Sequence, residues 1–231
     1  MHNLDSWRRH AAELAAGTSD SIIKNLVLAI LKKNEIFDGK LLDFGAGQGE
    51  LLSMLSSNSQ MQFDRLAGAD LIPKPLSLDD SIDWFQFDLN DVSADALDGQ
   101  FDVVICSEVI EHLENPRNVF RLLSDITRPG GHLILTMPHQ ESLRSLLSLV
   151  FKRHFVAFYG TCYPAHITAL LEIDLIRLCR ETDFADPVFY YTDYGAVPKL
   201  TRLTWQQLSY GMLKGRLFSD NLAMITLRLP D

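Results

Sequence analysis

The chain has 231 residues, a length typical of one large domain. With only 13 glycines and 9 prolines it is neither collagen-like nor of low complexity. Its 30 acidic and 21 basic residues give a net charge of −9, so the chain has no general attraction for a phosphate backbone and we expect no nucleic-acid partner.

The chain starts with MHNLDSWRRH, which lacks the apolar run of a secretory signal peptide. Apolar residues at positions 22, 26 and 30 and at 23, 27 and 31 predict an amphipathic helix over 21–33. We expect N-terminal helices over 1–38. No apolar stretch approaches the roughly 20 residues that a membrane span needs.

Short apolar runs then alternate with helical segments. Five runs are typical of buried strands: KLLDF (40–44), RLAGAD (65–70), WFQF (84–87), FDVVIC (101–106) and HLILT (132–136). One helix is predicted after Gly49 and a second over 115–127, where Asn115 is the N-cap and Pro116 the first helical residue. Strands alternating with helices predict an α/β fold with a mainly parallel sheet.

The end of the chain has a different pattern. Residues 187–195 and 221–230 are predicted to be two further strands, paired antiparallel at the sheet edge and separated by an amphipathic stretch over 198–214. Residues 139–165 are rich in Leu, Phe and Tyr, too apolar for a solvated loop and too interrupted for one long helix. We expect this segment to be a cap or lid inserted over the active site.

Cysteine usage indicates the compartment. Cys106, Cys162 and Cys179 are far apart and form no CxxC pair, which excludes a disulfide scaffold and a thiolate zinc site. Together with the start of the chain, this predicts a soluble cytoplasmic protein.

A glycine-rich turn, LLDFGAGQGE (41–50), follows the first strand. Glycines here let the backbone approach a ligand and free amide groups before a helix. A dinucleotide-binding GxGxxG loop would need glycine where Glu50 stands. Asp43 at the strand end repels pyrophosphate and suits a cationic or amino-acid-like ligand. A turn of this kind alone is weak support for any nucleotide-like ligand.

Carboxylates also follow the next two strands. Asp70 ends the second strand, where it can accept both hydroxyls of a ribose; the alternative is a surface aspartate before a turn. Asp88 follows the third strand and could accept a hydrogen bond from an adenine amino group while Leu89 packs on the ring; the alternative is a helix N-cap. The fourth strand ends at Ser107.

Five motifs in this order resemble those of class I S-adenosylmethionine-dependent methyltransferases: DFGAGQG, the strand-ending Asp70, FDLND, FDVVICSEVIEHL and RPGGHLILTMP. The likeness is greatest to the subgroup with the ubiquinone-pathway O-methyltransferases and many bacterial glycan-modifying methyltransferases. It covers about 41–184 and implies a single methyltransferase domain over 1–231, with a Rossmann-like seven-stranded sheet and helices on both faces.

The resemblance implies S-adenosyl-L-methionine as cofactor and seven residues that bind it: Asp43, Gly45 and Gly47 at the methionine part, Asp70 at the ribose, Asp88 and Leu89 at the adenine, and Ser107 beside the amino group or the sulfonium. The segment EVIEHL also matches the family. We interpret its Glu108, Glu111 and His112 as mainly structural.

The acceptor is predicted from what the sequence lacks. The Asn/Asp-Pro-Pro-aromatic motif that the family uses on exocyclic amines is absent, and MPHQ (137–140) follows the fifth strand instead. We therefore expect an oxygen acceptor: a sugar hydroxyl of a cell-surface glycan or lipid-linked precursor. Alternatives are a phenolic quinone precursor and a non-catalytic cofactor-binding partner protein. A nicotinamide-dependent oxidoreductase is disfavoured by Glu50.

Two histidines are candidate general bases. His166 is the first choice and His139 the second, because a pKa near neutrality suits proton removal; for both, the alternative is a role in loop geometry. No ligand spacing such as HxxxH is present, so we expect no metal. The cap contains basic residues among apolar ones. We therefore also expect peripheral membrane contact through a lipid-linked substrate.

Overall fold

The computed structural model describes Arg8 and residues 20–230. The helices of this part are α1 (Ser21–Lys33), α2 (Glu50–Ser56), α3 (Pro116–Ile126), α4 (Leu143–Lys152), α5 (Glu172–Glu181) and α6 (Trp205–Leu208). Its strands are β1 (Lys40–Phe44), β2 (Arg65–Asp70), β3 (Asp83–Gln86), β4 (Phe101–Ser107), β5 (Thr127–Pro138), β6 (Val188–Tyr191), β7 (Ala196–Val197), β8 (Leu200–Thr204) and β9 (Asn221–Leu227).

Seven strands form one sheet in the order β3-β2-β1-β4-β5-β9-β6. Strands β1 to β5 pair in parallel, and β9 runs antiparallel between β5 and β6. This confirms the predicted α/β fold, with a mainly parallel sheet and a final antiparallel pair. The strand order changes direction between β1 and β4, which is where open α/β sheets bind ligands, beyond the carboxyl ends of the strands.

Helices cover both faces of this sheet. Phe44 belongs to one apolar cluster with residues of α3 and α5, and Leu41 belongs to another with residues of α1 and α2. Side chains that alternate along a strand serve both clusters. A strand buried on both faces is a nearly continuous apolar run, and for that reason the predicted bounds of β1 and β2 coincide with the observed ones.

The predicted start of α3 is confirmed. The Asn115 side chain accepts a hydrogen bond from the backbone N–H of Asn118, and Pro116 is the first helical residue. An N-cap side chain supplies a partner to an amide that the helix itself cannot satisfy. The cap fixes where the chain turns from the site back into the core.

The predicted amphipathic stretch over 198–214 contains β8, which forms a hairpin with β7, and then the four-residue helix α6. Pro198 and Lys199 form the turn, and Lys199 has a φ of +65°. A turn of this kind usually carries glycine or asparagine at the position with positive φ, so a lysine there gives little sequence signal.

Residues 139–165 contain α4 and a short helical turn over Val156–Phe158. The predicted N-terminal helices over 1–38 include α1, but 1–7 and 9–19 lie outside the described residues. Within 20–230, no helix has both the length and the apolar character needed to cross a membrane.

Candidate active site

A cavity of about 820 Å³ opens at the carboxyl ends of the parallel strands. All seven residues predicted to bind the cofactor line it: Asp43, Gly45, Gly47, Asp70, Asp88, Leu89 and Ser107. The parallel sheet brings them together, because the carboxyl ends of β1, β2 and β4 lie at one edge. A volume of this size suits a nucleoside-sized ligand.

The glycine-rich turn is tied to the end of β2. The backbone N–H groups of Gly45 and Ala46 both donate to the carbonyl oxygen of Ala69, at 2.8 and 3.1 Å. Gly45 has a φ of +88°, and a Cβ atom there would lie 2.2 Å from Cγ2 of Val109. The position therefore needs glycine for its backbone conformation and for the close approach of the loop after β4.

Two carboxylates face the glycine-rich turn. Asp70 accepts hydrogen bonds from the backbone N–H of Gly47 at 2.7 Å and of Ile72 at 3.1 Å, which fixes its orientation. Asp43 is buried; burial, and then the charge of Asp70, raise its pKa to about 7. A sulfonium and an ammonium group in this cavity would stabilise both charged carboxylates, so the donor set fits S-adenosylmethionine.

The predicted adenine end has a partner that the sequence did not reveal. Arg8 forms ion pairs with Asp88, at 3.1 Å, with Glu114, at 2.9 Å, and with Asp91. Asp88 also accepts a hydrogen bond from the backbone N–H of Asn90. Arg8 therefore forms part of the cavity wall through contacts with residues more than 75 positions away, which no local pattern can indicate.

Glu108 directly follows β4 and lines the same cavity. Thr136 Oγ1 donates to its Oε1 at 3.0 Å, and Asn221 Nδ2 donates to its Oε2 at 3.1 Å. Ser107 hydrogen-bonds the same Thr136 hydroxyl at 2.9 Å. Burial raises the pKa of Glu108 above its usual range, while the two hydrogen bonds oppose that rise.

The sequence suggested a mainly structural role for Glu108, but its position in the structure also makes it part of the candidate site. It lines the cavity, and its backbone has a φ of +55°. A non-glycine residue in this conformation is uncommon and is held there by its surroundings. The usable sequence signal was its place, one residue beyond a buried strand at the switch between β1 and β4.

His166 also lines the cavity, as the prediction of a catalytic role requires. The chain around it is held against 110–113, because the backbone N–H groups of Ile167 and Thr168 donate to the carbonyl oxygen of Glu111. Its ring makes an edge contact with His112, with centroids 4.8 Å apart. Among the described residues, Nδ1 of His166 is buried without a hydrogen-bond partner.

His139, the second candidate base, is placed differently. It does not line the first cavity; its ring is almost fully buried, with Nδ1 3.2 Å from the carbonyl oxygen of Ser219 and Nε2 3.3 Å from Oε1 of Glu172. Arg216 and Tyr191 contact the same carboxylate. This network joins the end of β5 to α5 and to the segment before β9, which suits a role in loop geometry.

His166 belongs to a group of three side chains of the kinds that bind metal ions. Glu111, His112 and His166 each offer a ligand atom within 4.8 Å of the others, and both carboxylate oxygens of Glu111 are buried without a hydrogen-bond partner among the described residues. Burial raises the pKa of Glu111 well above its usual range. The group brings together residues 54 positions apart, which a search for HxxxH spacing cannot find.

The prediction of metal-free catalysis can therefore be tested at a defined place. We expect methyl transfer to be unchanged after treatment with a chelator, since removing a proton from a hydroxyl needs only a base. The measurement is turnover before and after chelation, with added Mg²⁺ as the control. Activity that is lost and then restored by Mg²⁺ would contradict this prediction.

The role of Asp70 gives a second test. We expect Asp70→Ala to weaken the binding of S-adenosylhomocysteine by roughly 1–3 kcal/mol, because two ribose hydroxyls lose a charged acceptor. Titration calorimetry measures the change. Asp64→Ala, on an aspartate outside the cavity, is the control, and equal affinities for both variants would remove Asp70 from the site.

A family model described as a methyltransferase domain matches residues 8–186. Among curated proteins, a ubiquinone biosynthesis O-methyltransferase of Erwinia tasmaniensis is 30% identical over 125 residues, which are 51% of this chain and 49% of that protein. The match thus spans about half the length of the first curated relatives.

Solved structures share the fold. A methyltransferase from Archaeoglobus fulgidus, described as S-adenosylmethionine-dependent, has a TM-score of 0.57 at 18% identity and covers 88% of this chain and 94% of its own. A putative methyltransferase of Haloferax volcanii, in complex with a methyltransferase activator, has a TM-score of 0.64 at 15% identity and covers 98% and 96%. The predicted family and fold are confirmed: the chain belongs to the methyltransferase-domain family and shares its fold with S-adenosylmethionine-dependent methyltransferases.

Proposed function

We propose that the protein transfers a methyl group from S-adenosylmethionine to a hydroxyl oxygen, and that the acceptor is a sugar in a cell-surface glycan or a lipid-linked precursor. The observation that carries this proposal is one cavity that holds both the seven predicted cofactor residues and His166. When bound, the cofactor supplies a methyl group on a sulfonium, which leaves as a neutral thioether, so the protein need not form a covalent intermediate.

The protein's own residues then have three tasks. Asp43, Gly45 and Gly47, with Ser107, hold the methionine part of the cofactor. Asp70 holds its ribose, and Asp88 with Leu89 its adenine. The remaining task is to place the acceptor hydroxyl in line with the methyl group and to remove its proton.

His166 is the proposed general base. Burial lowers the pKa of its imidazole below the usual range, although a hydrogen bond with the backbone of Ala157 opposes this. The ring is therefore neutral at pH 7 and can accept a proton. Its buried Nδ1 has no hydrogen-bond partner among the described residues, so the lone pair of this nitrogen is not used within that part of the protein.

The segment over 139–165 is the proposed cap. Thr161, Cys162 and Tyr163, near its end, line the cavity, which supports a cap that excludes water from the reacting groups. The whole chain, 1–231, would then work as one methyltransferase domain.

A phenolic quinone precursor is the second candidate acceptor. The observation in its favour is that the curated relatives with 30% identity carry the name ubiquinone biosynthesis O-methyltransferase. A non-catalytic role as a cofactor-binding partner protein is the third candidate; the intact turn at Gly45 and the oriented Asp70 carboxylate suit this role equally, because both concern ligand binding and not turnover.

The experiment is a methyl-transfer assay with radiolabelled S-adenosylmethionine and two sets of acceptors. The first set consists of lipid-linked oligosaccharides and methyl glycosides, and the second consists of dihydroxybenzoates. Calorimetry with S-adenosylhomocysteine and with NAD precedes it. We expect binding of the first only, and label in the sugar fraction. Label in the dihydroxybenzoates would replace the sugar by the phenol, and cofactor binding without transfer to either set would favour the non-catalytic role.

Peripheral membrane contact is proposed for the exposed side of α4. This helix buries Ser145 and Ser148 but exposes 72% of Val150 and 80% of Phe151, and Lys152 follows at its end. Exposed apolar side chains beside a basic residue suit the surface of an anionic bilayer, where a lipid-linked acceptor would be presented.

Vesicle co-sedimentation tests this contact. We expect Phe151→Asp to lower the fraction bound to phosphatidylglycerol-containing vesicles about tenfold, because one aromatic side chain no longer enters the lipid. Leu76→Asp, on a fully exposed leucine of another loop, is the control. Equal binding by both variants would place the contact elsewhere.

A further inference from the structure

A second cavity, of about 320 Å³, adjoins the first. It lies between the end of β5, the first turn of α4 and the start of β9. Five residues line both cavities and so form their common boundary: Asp20, Ile23, Glu108, His166 and Asn221. None of the seven predicted cofactor residues lines this second space, and part of its wall comes from the predicted cap over 139–165.

The common boundary is where a methyl group and an acceptor would meet. Ser107, a predicted cofactor residue, lines only the first cavity, and the next residue, Glu108, lines both. Asn221 Nδ2 donates to Glu108 Oε2 at 3.1 Å, so the boundary is a polar contact between β4 and β9. His166, the proposed base, is also part of it.

The second cavity contains an ion pair whose groups do not use all of their hydrogen-bond donors and acceptors. Arg144 Nη1 donates to Asp220 Oδ2 at 2.6 Å, and the backbone N–H of Ala196 donates to the same oxygen at 3.0 Å. Among the described residues, the guanidinium makes no further hydrogen bond and Asp220 Oδ1 accepts none. The pair thus offers free donors and a free acceptor side by side.

Other lining groups extend this chemistry. Thr192 and Tyr194 line the same cavity, and the Tyr194 side chain is partly exposed. A hydroxyl group both donates and accepts, so neighbouring hydroxyls on a ring can satisfy a guanidinium and a carboxylate at once. An aromatic ring beside them gives the apolar face of such a ring a surface to pack on.

We propose that the second cavity is the acceptor subsite and that it takes a ring with neighbouring hydroxyl groups, of the sugar class, with Arg144 and Asp220 as its positioning residues. This inference rests on the proposed methyl transfer and deepens it. Most of the residues that line the second cavity are polar or charged. A long isoprenoid tail in this cavity would displace water from the Arg144–Asp220 ion pair without replacing the lost hydrogen bonds, at a cost in binding free energy. The tail of a prenylated phenol would have to remain outside this cavity.

The test uses the full chain saturated with S-adenosylhomocysteine, and saturation-transfer NMR with two kinds of probe. The first is a panel of methyl glycosides of glucose, galactose, mannose and rhamnose, and the second is catechol. We expect a saturation-transfer signal for at least one glycoside. In Arg144→Ala this signal should fall about fivefold, the change that follows from losing one charge-assisted contact. Arg117→Ala, which removes an exposed ion pair with Glu181 far from the cavity, is the control.

Because Arg144 also joins α4 to Asp220, the residue just before β9, its alanine variant could unfold. Arg144→Lys is the second variant: it keeps the charge beside Asp220 but loses the planar pair of donors, and we expect it to lose glycoside transfer as well. Three results would overturn the inference. They are no saturation-transfer signal for any glycoside, a signal that is unchanged in a folded Arg144 variant, and a signal for catechol alone. Failure to bind S-adenosylhomocysteine would instead overturn the proposed function itself.

Discussion

His166→Ala lowers the rate of single-turnover methyl transfer by about 10²–10⁴ and leaves the affinity for S-adenosylhomocysteine nearly unchanged, because general-base assistance of this size acts only on the chemical step. In the wild type, burial lowers the pKa of His166. A base acts in its deprotonated form, so the wild-type rate should fall only as the pH drops below the ordinary histidine pKa of about 6.5.

The measurement is the single-turnover rate against pH, with the acceptor found in the transfer assay. His139→Ala is the comparison variant: its ring contacts Ser219 and Glu172 in a buried network and lines only the second cavity. It should cost less in rate than His166→Ala. A near wild-type rate and pH profile for His166→Ala would make His166 a structural residue. Attention would then turn to Glu108 and Asp20, the other two titratable side chains at the boundary of the two cavities.

Gly45→Ala should both destabilise the fold and abolish cofactor binding. The backbone there has a φ of +88°, which costs an alanine about 1–3 kcal/mol. The new Cβ would also lie 2.2 Å from Val109 Cγ2, and overpacking of this kind adds about 1–3 kcal/mol. Relief of the clash moves the loop after β4 away from the glycine-rich turn, and with it one wall of the cavity.

Gly99→Ala separates these two costs. Gly99 has nearly the same φ, +89°, but nothing lies within 4 Å of the Cβ that an alanine would add. Chemical denaturation should show a loss of stability in Gly99→Ala from the backbone alone and a larger one in Gly45→Ala. Calorimetry should show S-adenosylhomocysteine binding in Gly99→Ala but not in Gly45→Ala. Equal behaviour of the two variants would mean that the contact with Val109 has no part in shaping the site.

The local features of the fold were accessible from the sequence. Strands β1 and β2 are apolar runs bounded by polar residues, so their limits follow from composition alone. The cap at Asn115 and Pro116 is equally local, since an N-cap acts on an amide three residues away. The turn at Lys199 was missed because its positive φ is imposed by the hairpin and not by a residue that favours it.

By itself, the sequence determined that Asp43, Gly45 and Asp70 end neighbouring parallel strands, and hence that they meet at one edge of the sheet. A residue's place at a strand end depends on its immediate neighbours, so a linear pattern carries it. This much sufficed for the family and its cofactor class.

The tertiary structure alone decided what lies opposite those strand ends. The pairing of Arg8 with Asp88, of Asn221 with Glu108, and of Arg144 with Asp220 joins residues at least 76 positions apart. It also decided that His166 and not His139 lines the first cavity. Contacts of this kind arise when distant segments pack against one core, and no residue in either segment specifies its partner until the chain has folded.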